Sequence, residues 1–173
     1  MKALNEVSVI SSVFFRTQRR IETAYFMNGV ELKLLDVVKD LGVFFDSRVT
    51  FRDHYASVVS KAMSALGFII RMAHGFSFIS LKTLYCSLVR SQLEYASVIW
   101  SPIYAVHIDN LEHVHRKFIN ICEYKFRHQV PQFSFDSLSN RRIVSDLCFL
   151  FKIINGLIDC PELLKKISIK VPI

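Results

Sequence analysis

The sequence predicts an α+β fold that is mostly α: a small N-terminal antiparallel β-hairpin sheet followed by four or five packed helices. Three observations predict it. β-branched and aromatic residues crowd the runs on either side of an Asn28-Gly29 pair. From about Thr50 onward, apolar residues instead recur every three or four positions, the period of a helix with one buried face. Gly and Pro break that recurrence only at a few points, which sets where helices end. With 173 residues, 51% of them apolar, the chain can bury roughly two thirds of its unfolded surface in a single core.

The first 50 residues read as β. Val7 to Arg16 and Glu22 to Met27 are strand-like, and Asn28-Gly29 suits the positive φ pair of a type I′ turn, with Val30 to Leu34 as the return strand. Asp40 to Asp46, DLGVFFD, reads as one more strand on the same sheet, with Gly42 allowing a bend or close backbone approach.

Residues 51 to 173 read as helices forming one continuous unit. Thr50 as N-cap with Asp53 three residues on starts a helix over Phe51 to Ala73, with Val58, Ala62, Ala65, Ile69 and Met72 facing inward. A second helix, Ser80 to Ile99, buries Leu81, Leu84, Tyr85, Leu88, Leu93 and Ala96 and stops at Ser101-Pro102. Asp109 and Glu112 open a third, with Leu111, Val114, Phe118 and Ile121 inward and His115, Arg116 and Lys117 outward. After Pro131, a helix from Leu138 to Asn155 turns Ile143, Leu147, Leu150 and Ile154 to the core and ends at Gly156. Pro161 begins a short terminal turn or helix.

Several function classes find no residues. No GxSxG, GxxxxGK[ST] or GxGxxG motif occurs, which leaves hydrolase, nucleoside-triphosphatase and dinucleotide readings unsupported. Two-metal nucleotidyl transfer needs carboxylates close enough to bridge two divalent ions, and the chain has no Asp-Asp pair. Asp36, Asp40, Asp46 and Asp53 sit where turns and caps use them. His107, His113 and His115 approach Cys122 and His128 in sequence, but residues two apart on a helix point about 200° apart and cannot share an ion. No catalytic residue and no metal ligand is therefore assigned.

Cys86, Cys122, Cys148 and Cys160 form no Cys-x-x-Cys pair, which points to a reducing compartment. The best apolar run, Ala65 to Ile70, is cut by Arg71, far short of a membrane span of about 20 residues. Val7 to Phe15 has the look of a signal core, but Glu6 precedes it and Arg16, Arg19 and Arg20 follow without a small-residue cleavage site. The expectation is a soluble intracellular chain, nuclear or cytoplasmic, with no membrane partner.

What remains is positive charge, 22 Lys and Arg against 15 Asp and Glu for a net +7. Basic residues gather at Arg16, Arg19 and Arg20, at Lys61 and Arg71, at Arg116 and Lys117, and at Arg141 and Arg142. On helices such residues can hold phosphates of any sequence. They can equally be the solvated faces of a basic domain.

Three stretches carry a family resemblance: VKDLGVFFDSRVTF at Val38 to Phe51, followed by His54; LYCSLVRSQLEYASVIW at Leu84 to Trp100, with Pro102; and Arg141-Arg142 leading into DLCFLFKIINGLID. In this order and spacing they resemble the segment downstream of the polymerase palm in jockey-like non-long-terminal-repeat retrotransposon reverse transcriptases, RNA-directed DNA polymerases. The resemblance runs from about Arg16 to Leu164. It implies that residues 1–50 belong to the hairpin region that positions the primer end, and that residues 51–173 are thumb and connecting region. It implies an RNA or DNA template-primer as partner, with Arg19, Arg20, Lys61 and Arg71 as phosphate contacts. In the family, the fingers and the palm aspartates that bind Mg²⁺ precede this segment and would be its natural packing partner. Their ligands are absent here, so the resemblance implies grip without catalysis, and no cofactor for this chain alone.

Two other readings fit the same residues. One is a helical module that binds protein through apolar surface left by the missing palm, insensitive to salt. The other is a decayed, non-functional element product whose strands end in open edges.

Overall fold

The structure is a computed structural model that describes residues 10–11, 24, 26–31, 33–126 and 135–166. The protein is α+β and mostly α, with short strand pairs near the N-terminus followed by about six helices. It divides into two compact units, one ending at Val58 and the other beginning at Val59.

In the first unit, Phe26–Met27 (β2) pairs antiparallel with Val30–Glu31 (β3). Asn28 and Gly29 close the hairpin at φ 53° and 79°, the left-handed pair that the turn requires. Of the strand expected over Val7 to Arg16, Ile10–Ser11 (β1) is described, and it pairs parallel with Lys33–Leu34 (β4).

Asp40 to Asp46 is not one strand on that sheet. Val37–Asp40 (β5) and Val43–Asp46 (β6) form a hairpin of their own, in register Val37 with Asp46 and Asp40 with Val43. Leu41 and Gly42 make its turn at φ 43° and 87°. Gly42 thus serves the reversal rather than a bend. Among the described residues the strands form three two-stranded pairs instead of one sheet.

Asp46 organises the passage from strand to helix. Its carboxylate accepts from the amides of Arg48, Thr50 and Phe51 and from the Thr50 hydroxyl, at 2.7 to 3.1 Å. This network holds Val49 and Phe51 at φ 55° and 57°, a region costly for residues with bulky side chains. Thr50 spends its hydroxyl on Asp46 rather than capping the helix that follows, Arg52–Met72 (α1). His54 accepts the Phe44 amide on Nδ1 at 3.4 Å, fastening β6 to the start of α1.

The buried side of α1 in the second unit runs through Ala62, Leu66, Ile69 and Ala73. Ala65 is only partly buried, and Met72, expected inside, is 53% exposed. Arg52–Gly75 is also long and apolar enough to cross a membrane by length and composition, its most apolar 18 residues having a mean hydropathy of 1.3. Its exposed side nonetheless carries Lys61 and Arg71.

A 3₁₀ turn, Ala73–Gly75, leads to Phe78–Tyr85 (α2), capped by Ser77 accepting from the Ser80 amide at 3.2 Å. The chain continues through a π turn at Cys86–Arg90 into Ser91–Glu94 (α3). Helix does not persist to Ile99. Ala96 turns left-handed at φ 52°, and Trp100 closes the break by donating Nε1–H to the Tyr95 carbonyl at 2.8 Å. Ser97–Trp100 (α4) follows as a single turn. Leu88, inside the π turn, is 40% exposed, while Leu81, Tyr85, Val89 and Leu93 carry the core.

The third long helix, Ala105–Lys125 (α5), starts four residues before Asp109. Leu111, Val114 and Phe118 are buried as the periodicity requires, and Arg116 and Lys117 are exposed. His115 is the exception, at 3% exposure, because it enters an aromatic cluster. The Tyr85 and Phe118 rings stack at 4.0 Å between centroids, and Phe135 meets His115 and Phe118 edge-on.

Leu138–Ile154 (α6) begins at a Ser137 cap accepting from the Asn140 amide at 3.1 Å. It ends with Gly156 at φ 67° and the Leu157 amide donating back to Lys152 at 2.8 Å, a left-handed closure. The expected bounds of this helix hold, but its orientation does not. Leu138, Arg142 and Ile153 face the core, whereas Ile143, Leu147 and Ile154 are 57%, 60% and 46% exposed. Polar contacts explain the inversion. Glu112 Oε1 accepts from the Ser139 amide and hydroxyl at 2.8 and 3.0 Å. Arg141 grips Glu94 with two nitrogens, and Arg142 lies over the Trp100 ring, 6.0 Å from its centroid. These bonds turn α6 onto α4 and α5 by the side that carries Leu138, Arg142 and Ile153. Pro161–Lys166 (α7) is the short terminal helix.

Candidate nucleic-acid interface

Lys61 and Arg71 stand ten residues apart on α1, both exposed. Helical geometry separates them by about 15 Å along the axis and about 80° around it, so both belong to one side of the helix. That length matches the rise of roughly four base pairs. Among the described residues neither is held by an acid. The Arg71 guanidinium folds back along the helix, where a Cβ added at Gly67 would lie 3.6 Å from Nη1.

Sequence reasoning missed Phe68, which lies between them and is 52% exposed. Its signal was readable: position 68 falls off the stripe of buried residues, so an aromatic there sits on a polar face. Exposed Ser60 and Ser64 complete the surface with hydroxyls. The arrangement offers two cations for phosphates, two hydroxyl donors and one ring on which an unpaired base can stack.

The other basic pairs divide. Arg19 and Arg20 lie outside the described residues. Arg116 and Lys117 are exposed on α5. Arg141 and Arg142 are structural, the first occupied by Glu94 and the second buried against Trp100. Hydrogen bonding to Glu94 raises the Arg141 pKa above its ordinary value, as expected of a cation held in an ion pair.

A cavity of about 520 Å³ opens beside that pair, lined by Glu94, Ser97, Asp136, Asn140, Arg141 and Arg142 among others. Two acids and two arginines balance in it, and Glu94 is already paired with Arg141. Magnesium, which the resemblance implies for the parent polymerases, finds no fitting site among the described residues. No group of three or more His, Cys, Asp or Glu side chains gathers there, and the Asp46 carboxylate is committed to its loop.

The three stretches behind the family resemblance occupy the β5–β6 hairpin and its loop, the helical run from α2 to α4, and α6 with its closing turn. Compared with protein-family models, curated proteins and solved structures, the chain matches none.

Proposed function

We propose that this chain is a thumb-side part of a retrotransposon-type reverse transcriptase and that it holds a template-primer duplex by its phosphates, without reading sequence and without catalysing polymerisation itself. The observation that carries the reading is the exposed face of α1, where Lys61 and Arg71 flank Phe68 and, among the described residues, no acid engages either cation. The net charge of +7 and the ordered motifs at Val38 to Phe51, Leu84 to Trp100 and after Arg142 support it.

The test is fluorescence anisotropy of the whole chain with labelled RNA–DNA and DNA duplexes across a salt series. Binding should be indifferent to base sequence and should weaken steeply with salt, because each neutralised phosphate releases counterions. Absence of binding at about 50 mM salt, or binding insensitive to salt, would reject the reading.

A second reading, a helical protein-interaction module, is favoured by the apolar face that α6 leaves uncovered.

A further inference from the structure

Turning Leu138, Arg142 and Ile153 inward leaves α6 with an apolar stripe on the far side. Ile143, Leu147, Phe151 and Ile154 follow one another at helical spacing, with Val144 beside them, and their exposures are 57, 60, 60, 46 and 59%. Hydrophobic spacing of three and four residues is what a helix presents to a second helix. From these exposures the five side chains leave roughly 550 Å² open, near the top of what a lone soluble domain ordinarily shows as its largest apolar patch.

The face also has the shape of one half of a symmetric pair. It is one straight helical ridge, and a two-fold axis normal to a helix sets such a ridge against itself with no further surface required. Two copies would bury about 1,100 Å² before any rim is counted, just beyond the roughly 1,000 Å² a specific interface needs. The charged residues of the helix after Arg142, Asp146 and Lys152, are of opposite sign, so the chain's positive excess is not concentrated there. At the N-terminal end of the helix, Arg141 is already neutralised by Glu94.

We infer that the exposed stripe of α6 pairs with the same stripe of a second copy of this chain, giving a closed dimer through antiparallel α6 helices. The inference is independent of the nucleic-acid reading, since Lys61 and Arg71 lie on a different helix.

Sedimentation equilibrium of the whole chain from about 1 to about 200 µM tests it, a range that reports dissociation constants in the micromolar decades. The expected result is a concentration-dependent rise from one chain mass to two, with no growth beyond. Leu147→Asp should weaken the pairing at least about tenfold, since it places a charge at the centre of the buried patch. Phe151→Asp provides a second variant should the first lose its cooperative melt. Lys61→Glu should leave the dimer intact while weakening duplex binding, so the two readings fail separately. A single chain mass at the highest concentration overturns the inference. So does growth in mass past two chains, or a dimer that survives both aspartate variants.

Discussion

The hydroxyl of Tyr85 lies 2.6 Å from Nδ1 of His115, joining residues thirty positions apart inside the aromatic cluster. Tyr85 is fully buried and His115 is 3% exposed. Burial is the main cause that pushes the phenol pKa up and the imidazole pKa down, although Glu112 pulls the imidazole back upward. At neutral pH both groups are therefore uncharged, and the phenol oxygen and Nδ1 share one hydrogen bond whose donor is set by the imidazole tautomer.

That pair sets a pH dependence. Because the folded His115 pKa lies below its ordinary 6.5, the unfolded chain takes up the proton first as the pH falls. Stability should thus be fully present above about pH 6.5 and lost below it, until the folded imidazole also protonates. Urea midpoints at pH 7, 6 and 5 measure it, and His115→Gln should flatten the slope; equal midpoints would remove the assignment. Tyr85→Phe should cost about 1–3 kcal/mol at pH 7 by leaving Nδ1 buried without its partner.

The two sides of α6 should respond oppositely to truncation. Leu138→Ala removes a fully buried side chain and should cost about 2–5 kcal/mol. Leu147→Ala, at a side chain 60% exposed, should cost under about 1 kcal/mol in the monomer. Denaturant unfolding of both at low concentration decides which face is the core; equal losses would restore the orientation that periodicity suggests.

Periodicity failed at α6 for a physical reason. Apolar residues occupy both sides of this helix, and a sequence pattern reports only that a stripe exists, not which stripe is covered. What selects the buried side is polar: Ser139 with Glu112, Arg141 with Glu94, and Arg142 on Trp100. All are pairings over long sequence separations that local pattern cannot contain. His115 was placed outward for the same reason, its partner being Tyr85 on another helix. Local chemistry was far more legible. Asn28-Gly29 makes its hairpin turn and Gly156 its helix closure as read, because both depend on a conformation that few residues adopt. Gly42 was seen as special but assigned the wrong task, since Leu41 beside it gives no hint of a left-handed turn. Of the candidate phosphate contacts, Lys61 and Arg71 are exposed as expected, and Phe68 between them was legible from its place off the buried stripe.

Charge reversal on α1 tests the interface residue by residue. Lys61→Glu and Arg71→Glu should each weaken duplex binding uniformly across sequences and lower the salt slope by about 1. Phe68→Ala should spare duplex binding and weaken single-strand binding by about 1–3 kcal/mol. Anisotropy titrations on both substrates separate the two effects. An unchanged salt slope in both charge variants would move the contact elsewhere.

Asp46 should matter more than its partial exposure suggests. Burial pushes its pKa up, but hydrogen bonds from the Thr50 and Phe51 amides, the Thr50 hydroxyl and the Arg48 amide outweigh that and hold it below the ordinary 3.8. Its contribution is therefore present above about pH 4 and lost as the pH falls through the folded value. Asp46→Ala should cost about 1–2 kcal/mol, as loss of a capping carboxylate does. Hydrogen exchange at Thr50 and Phe51 should rise together; unchanged protection there would show that another group holds the loop.

The β5–β6 turn carries a correctable fault. Leu41 is left-handed at φ 43° and 83% exposed, a position where Asn is favoured over an aliphatic side chain. Leu41→Asn should stabilise the hairpin by about 0.5–1 kcal/mol, while Gly42→Ala, at φ 87°, should destabilise it by a comparable amount. Thermal melts of the two variants should shift in opposite directions.

The π turn at Cys86–Arg90 bears on how this chain would be aligned with relatives of different length. Buried positions around it fall at Leu81, Tyr85, Val89 and Leu93, four residues apart each time, a spacing that would drift off one face of an ordinary α-helix by about 40° per step. One wide turn absorbs that drift, as an inserted residue does. A chain lacking either exposed Ser87 or Leu88 would regain the usual alternation of three and four with the same side chains buried. A homologue one residue shorter should therefore open its gap here, in the middle of a helix, where such gaps are least expected.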